Sequence, residues 1–351
     1  MTKLDECYEI TSLACDLKLD PKRPVEAIVR YCMDKITGWV RKAGGADSIE
    51  EVQNIVCRNL GLTLIEVRSD EELEEVAEKY VGLGEFVFAS LSVQLTDDKF
   101  ATVMRRQHAP AKAPDQYVAI IDCRGFKAAR RFFTRWHEIA HILTSVTQHE
   151  LPFQHFRSKP EGDPIERLMD HIAGQVGFYD PIFEPVLAAE IKKDGRLTFD
   201  AVERVRAAIC PNASFEATLI ACSNRMPTPV IQLHAAKGYK KAEEEELASG
   251  QLRMFGRPAP EPKLRAHRSV PNSAAKTRGF LVHQNMQVPE QSLVYKHFEE
   301  TADVDSSLGI TGVEEFSNWR CSNGKVCGRG RINVDVRKLS GTTFALLQPL
   351  G

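Results

Sequence analysis

From Lys127 to Thr144 the chain reads KAARRFFTRWHEIAHILT, and no glycine or proline interrupts it. Ala128, Ala129, Ile139, Ala140 and Leu143 are apolar or good helix formers, and Phe133, Ala140 and Leu143 recur near helical spacing. The run predicts an α-helix, and one carrying Phe132, Phe133, Trp136, Ile139 and Leu143 is mostly buried. Inside it His137, Glu138 and His141 form H-E-x-x-H. Residues four apart on a helix stack on one face, so two imidazoles can reach a single ion, with the glutamate beside its open position. The same three residues could also face solvent on an ordinary amphipathic helix. The apolar flank opposes that reading. Two histidines and a glutamate on a buried helix need partners, and a Zn2+ ion supplies them.

At 351 residues the chain holds two or three domains, with ample length for sizeable cores. A charged fraction of 27% and a formal net charge of −2 fit a soluble globular protein and exclude a polycation. Any nucleic-acid contact must then come from a local basic patch. The opening MTKLDECYEITSLACDLKLD has no basic segment followed by an apolar run, and no stretch approaches the length of a membrane span. Nine cysteines, an odd number without a regular framework, read as reduced thiols. A cytoplasmic protein without membrane contact is expected.

Ahead of the H-E-x-x-H run the pattern predicts helices over 24–42, 48–61 and 69–80, the second opened by a capping box of Ser48 and Glu51. Strands are expected at 62–68, 86–93, 100–105 and 117–123. Behind the run come a polar loop over 149–164, a helix at 165–177 and an aromatic, proline-broken turn at 178–184. Helical stretches follow at 185–193, 198–209 and 214–224. The texture changes near 228: a strand-like PVIQLHA, a charge run at 239–249, a Pro- and Arg-rich stretch at 255–273, then strands with one helix among them. Helices, then strands, then a metal-binding helix make an α+β arrangement, with domains at 1–228 and 229–351.

A catalytic zinc site needs a third protein ligand and one open position. Glu166-Arg-Leu-Met-Asp170 places two carboxylates on one helix face: one can bind the metal while the other accepts the N–H of a ligating imidazole. Ile165, Leu168, Met169, Ile172 and Ala173 surround the pair with apolar surface, which favours Glu166 as ligand and Asp170 as the supporting acceptor. Asp163, next to Pro164, reads as a helix cap.

H-E-x-x-H followed by E-x-x-x-D resembles the gluzincins, and the whole arrangement is more closely similar to the ImmA/IrrE family of bacterial metallopeptidases. The family's R-x-F-T-x-x-H-E-x-x-H helix matches Arg131-Phe-Phe-Thr134-Arg-Trp-His137-Glu-Ile-Ala-His141. Its E-x-x-A-N-x-F-A segment is similar to Glu166-Arg-Leu-Met169-Asp170-His-Ile172-Ala173, with Met for Ala and Asp for Asn as departures. The likeness covers roughly residues 24–228. The remainder resembles, in domain order and strand content, the GAF-like sensor domain behind such peptidases, including those of bacterial anti-phage operons. The resemblance implies a zincin-like zinc endopeptidase domain followed by a GAF-like α/β sensor domain. Such enzymes cut a helix-turn-helix transcriptional repressor and so switch on a DNA-damage or defence response. His137, His141 and Glu166 would hold Zn2+, Glu138 would act as general base, and His171, His149 or Tyr179 would supply a further oxyanion donor.

Cys123 ends the strand that feeds the metal helix. Its thiolate could take zinc's fourth position as an inhibitory switch, or it is a small buried residue. Cys321 and Cys327 flank SNGKV and read as a cross-strand thiol pair. Basic residues gather in two places, around Arg257, Arg265 and Arg268 and around Arg329 and Arg331, near Phe255 and Trp319. Guanidinium groups beside aromatics suit single-stranded DNA, which the resemblance makes the expected activator, and Arg130, Arg131 and Arg135 could extend that surface. The competing expectation is a DNA- or ligand-binding regulator whose zinc is structural. A general base at Glu138 would be superfluous there.

Overall fold

The computed structural model describes residues 4–110, 113–145, 153–156, 163–249, 260–301, 309–321, 324, 326–339 and 341–350. His149 and Arg257 lie outside them. The chain is mixed α and β, and it divides into two compact units, 1–186 with 205–218 and 187–204 with 219–351. In this division residues 187–204 group with 219–351, and hydrogen bonds show how. Gln348 accepts from Leu197 N and donates to Leu197 O, and Asp335 Oδ2 accepts from Phe199 N, which fastens the 197–199 stretch to the second unit's sheet.

In the first unit, α1 (Tyr8–Asp16), which the sequence pattern did not reveal, precedes α2 (Pro24–Lys42). Next come α3 (Ile49–Leu60), β1 (Leu62–Val67) and α4 (Asp70–Gly82). Ser48 Oγ accepts from Glu51 N as the capping box requires, while the Glu51 carboxylate reaches Asp47 N. The expected strand at 86–93 is instead a 3-10 turn, Phe86–Ser90, running into α5 (Leu91–Gln94). Its buried residues are Phe88, Leu91 and Leu95, spaced three and four apart, while Phe86 and Val93 are exposed. That period is helical.

Then follow β2 (Lys99–Arg105), β3 (Tyr117–Asp122) and, after a 3-10 turn at Gly125–Arg130, α6 (Arg131–Thr144). Within the expected loop lies β4 (Phe153–Phe156), and α7 (Pro164–Val176) is capped by Asp163, whose carboxylate accepts from Ile165 N and Glu166 N. α8 (Asp180–Asp194) opens inside the expected turn, with Pro181 in its first turn, where the missing N–H costs nothing, and Pro185 farther in. α9 (Phe199–Ile209) and α10 (Phe215–Arg225) follow.

The sheet runs β1-β3-β2-β4, with β1 parallel to β3 and the other pairs antiparallel. β3 is buried along its whole length, as a nearly continuous apolar YVAIID run demands of a strand covered on both faces. Val118 and Ile120 face a core made with Leu73, Tyr80, Phe88 and Leu91. α6 packs against β2 and β3, and α7 packs against α6. Gly177, just past α7, sets how closely: a Cβ there would lie 2.8 Å from Trp136 Cδ1 and 2.8 Å from Ala173 O. Gly177→Ala should therefore destabilise the first unit by about 1–3 kcal/mol, read as a lower denaturation midpoint with an unchanged denaturant slope.

The second unit holds β5 (Ile231–Gly238), α11 (Lys241–Ser249), β6 (Lys263–Pro271), β7 (Ile310–Glu315), β8 (Arg331–Leu339) and β9 (Thr342–Pro349). These five strands form one antiparallel sheet in the order β6-β5-β9-β8-β7. Leu233, Val334 and Leu347 share its core with Phe316 and Trp319, and the helix Leu293–Glu300 packs on β7 and β8. Among the described residues no helix is long and apolar enough to cross a membrane.

Candidate metal centre

The entry to α6 is held by a charged cluster that the sequence pattern did not reveal. Lys127, placed by that pattern at the head of the predicted helix, is instead buried in the 3-10 turn that precedes it. Its Nζ donates to Thr96 O at 2.8 Å, Lys99 O at 2.9 Å and Asp122 Oδ2 at 2.6 Å, so all three of its donors are used. Asp122 also accepts from Arg124 Nε and Nη2. Desolvation works against the Asp122 carboxylate, yet the bonds from Arg124 and Lys127 outweigh it and hold its pKa below the usual range.

From that anchored start, α6 carries His137, Glu138 and His141 into the interior, all three buried. His137 Nε2 lies 3.1 Å from His141 Nε2 and 3.2 Å from Glu166 Oε2, and His141 Nε2 lies 3.5 Å from Glu166 Oε1. Tetrahedral zinc with ligand atoms at ~2.0–2.1 Å spaces those atoms roughly 3.3 Å apart, so the three side chains fit one ion without rearrangement. They are a group that can hold a metal ion.

The next layer agrees. His137 Nδ1 is 2.8 Å from Asp170 Oδ1, and a carboxylate can only accept, so Nδ1 carries a proton; Nε2, facing Glu166 and His141, carries a second proton while the ring is charged and a lone pair once it is neutral. Lone pairs from three ligands then converge and repel unless a cation or a proton lies among them. Burial alone would lower the His137 pKa, but the bonds to Asp170 and Glu166 dominate and raise it to about 9. Glu166 is affected in the opposite sense: burial would raise its pKa, and the two imidazoles drive it far below the carboxylate range. Asp170→Ala should weaken metal binding by roughly 10–100-fold, measured by competition with a chelating dye, while leaving the three ligand atoms in place.

Glu138 differs from the other acids. Both its oxygens are buried, and neither has a hydrogen-bond partner among the described residues. Burial raises its pKa to about 7, with His137 pulling down and Glu166 pushing up. A carboxylate kept dry, unbonded and close to neutral pH in proton affinity is suited to exchanging protons.

Other expected site residues fall elsewhere. Cys123 is not in the ligand group. Its N–H donates to Val67 O at 2.8 Å, and burial with Glu66 nearby raises its thiol to about 11, countered by Arg131, Arg135 and Arg68. His171 lines a different cavity of about 880 Å3 with Asp5, Lys22 and Arg30, and Tyr179 donates its hydroxyl to Thr37 Oγ1 at 3.4 Å.

The basic residues also divide. Arg268, Arg329 and Arg331 are exposed. Arg265 is buried, donating to Gly238 O and Asn285 O, and so leaves the expected nucleic-acid surface. Arg135 pairs with Glu66, Arg131 donates to Asn212, and Arg130, itself exposed, covers the Phe100 ring. No protein-family model matches the chain, and no curated protein matches it either.

Proposed function

We propose that the chain is a zinc-dependent endopeptidase of ImmA/IrrE type. The observation that carries this reading is the buried Glu138, without a hydrogen-bond partner among the described residues, beside three converging ligand atoms. A purely structural ion would need no spare carboxylate, and keeping one dry is costly. His137, His141 and Glu166 would hold the ion, with Asp170 fixing the His137 tautomer. When bound, zinc supplies a Lewis acid that lowers the pKa of water toward ~7 and polarises a peptide carbonyl. Glu138 accepts the proton of the attacking water and returns it to the leaving amine, a cycle that its proton affinity near 7 suits.

The substrate in this reading is a helix-turn-helix repressor, and the second unit is a GAF-like sensor responsive to single-stranded DNA. The antiparallel five-stranded sheet and the exposed Arg268, Arg329 and Arg331 support that part. The test incubates the full chain with the repressor encoded beside it, with and without short single-stranded DNA. Cleavage that needs metal and intact Glu138, and that rises with DNA and falls with salt, is the expected result. Intact repressor under every condition would remove the protease reading. Stimulation unchanged at high salt would remove phosphate contacts alone.

A further inference from the structure

Nothing in the proposed reaction uses the paired sulfurs of the second unit. Arg320 and Val326 form an antiparallel bridge, and Cys327 N donates to Trp319 O at 2.8 Å. In that register Cys321 and Cys327 are diagonal neighbours on one face of a tight hairpin, within reach of each other. Gly324, at φ +80 and donating its N–H to Cys321 O at 2.8 Å, makes the reversal between them. Cys327 Sγ donates to Met286 Sδ at 3.4 Å. Both cysteines are free and half-buried, and both pack on the edge of the core that holds Phe316 and Trp319. Cys321 lines an open cavity of about 700 Å3, whose walls include Lys240, Arg320, Asn285 and Met286, so a small polar oxidant has access to it.

We infer that Cys321 and Cys327 are a reversible redox pair that closes into an intramolecular disulfide when the protein meets a peroxide. Burial, with Cys321 adding to it, pushes the Cys327 thiol up to about 12, which makes it the poorer first nucleophile. Cys321, on the cavity wall, attacks the peroxide: an S–O bond forms, the O–O bond breaks, and one water leaves after protonation. The Cys327 sulfur then attacks the Cys321 sulfenic sulfur. The S–S bond forms, the S–O bond breaks, and the departing hydroxide leaves as the second water with the Cys327 proton. Two thiols have lost two electrons and two protons, and one hydrogen peroxide has become two waters. A small dithiol reverses the closure by exchange.

Closure also takes the Cys327 S–H away from Met286. Met286 O accepts from Ala266 N at 2.8 Å, and Gln287 bridges to Arg265, so the change is transmitted to the strip that walls the cavity beside β6.

The experiment treats the full chain with equimolar hydrogen peroxide, quenches with an alkylating agent and maps peptides by mass spectrometry. The expected product is a Cys321–Cys327 linked peptide two mass units lighter than the dithiol, restored by dithiothreitol. It should form at least ~10-fold faster than oxidation at the other cysteines. Cys327→Ser should stop at a sulfenic acid on residue 321 that dimedone traps, and Cys321→Ser should leave residue 327 alkylatable. If wild-type protein keeps both thiols alkylatable while other cysteines oxidise, or if either sulfur joins a different cysteine, the pair is not a redox site. The wild-type map decides this even if a serine variant fails to fold.

Discussion

Glu138→Gln is expected to keep its zinc and to lose ~10²–10⁴-fold in peptide cleavage. The amide matches the carboxylate in shape but accepts no proton, and residue 138 is not one of the three converging ligands. Metal content by emission spectroscopy should stay near one ion per chain while cleavage vanishes. The substitution should also change stability, in a direction that identifies the group. The folded-state pKa of Glu138 is raised from an ordinary 4.5 to about 7, chiefly by burial. The unfolded carboxyl therefore ionises first, and native stability falls as pH rises from about 4.5 to about 7. Above that the cost is complete, at most about 3 kcal/mol for this group. Metal-free Glu138→Gln should then be more stable than metal-free wild type above pH 7, and the advantage should shrink toward pH 4.5. Full cleavage by a metal-loaded Glu138→Gln protein would end the role of Glu138 as base.

Metal uptake should release a proton, and its affinity should rise with pH until His137 is neutral without help. In the metal-free protein the His137 pKa is raised from 6.5 to about 9, because its bonds to Asp170 and Glu166 outweigh burial. A group raised in this way stabilises the fold fully below about 6.5 and loses that contribution as pH climbs through about 9, here on the order of 3 kcal/mol. A metal needs the same Nε2 lone pair, so between about 6.5 and 9 affinity should gain about tenfold per pH unit. The stabilisation conferred by zinc should therefore be larger at pH 8.5 than at pH 6.5. Titration calorimetry in buffers of different ionisation enthalpy counts the proton directly. At least one proton released per ion near pH 7.5 is expected. None released, with affinity flat across the window, would mean that the ion binds away from His137.

Residues with a strong local period were legible from sequence, and residues defined by distant partners were not. The metal helix, the ligand spacing and Glu166 were readable because a buried helix leaves polar side chains one way to be satisfied. The capped helices at Ser48 and Asp163 were readable because a cap is a contact over three residues. The 3-10 turn at Phe86–Ser90 was misread as a strand, since a short apolar run suits either period until burial chooses. β4 was hidden in a polar loop because its place in the sheet comes from pairing with β2, far back in the chain.

The sequence by itself determined that one helix must be buried with two imidazoles and a carboxylate aboard, and that a second helix would bring two more acids on one face. Helical geometry and the cost of burying polar groups suffice for that. Only the tertiary structure decided the rest. It turned Glu166 and Asp170 onto opposite nitrogens of His137, left Glu138 without a hydrogen-bond partner among the described residues, and buried Arg265 against the backbone of its own unit. These are outcomes of which faces pack together, and packing between segments far apart in the chain has no signature in local spacing.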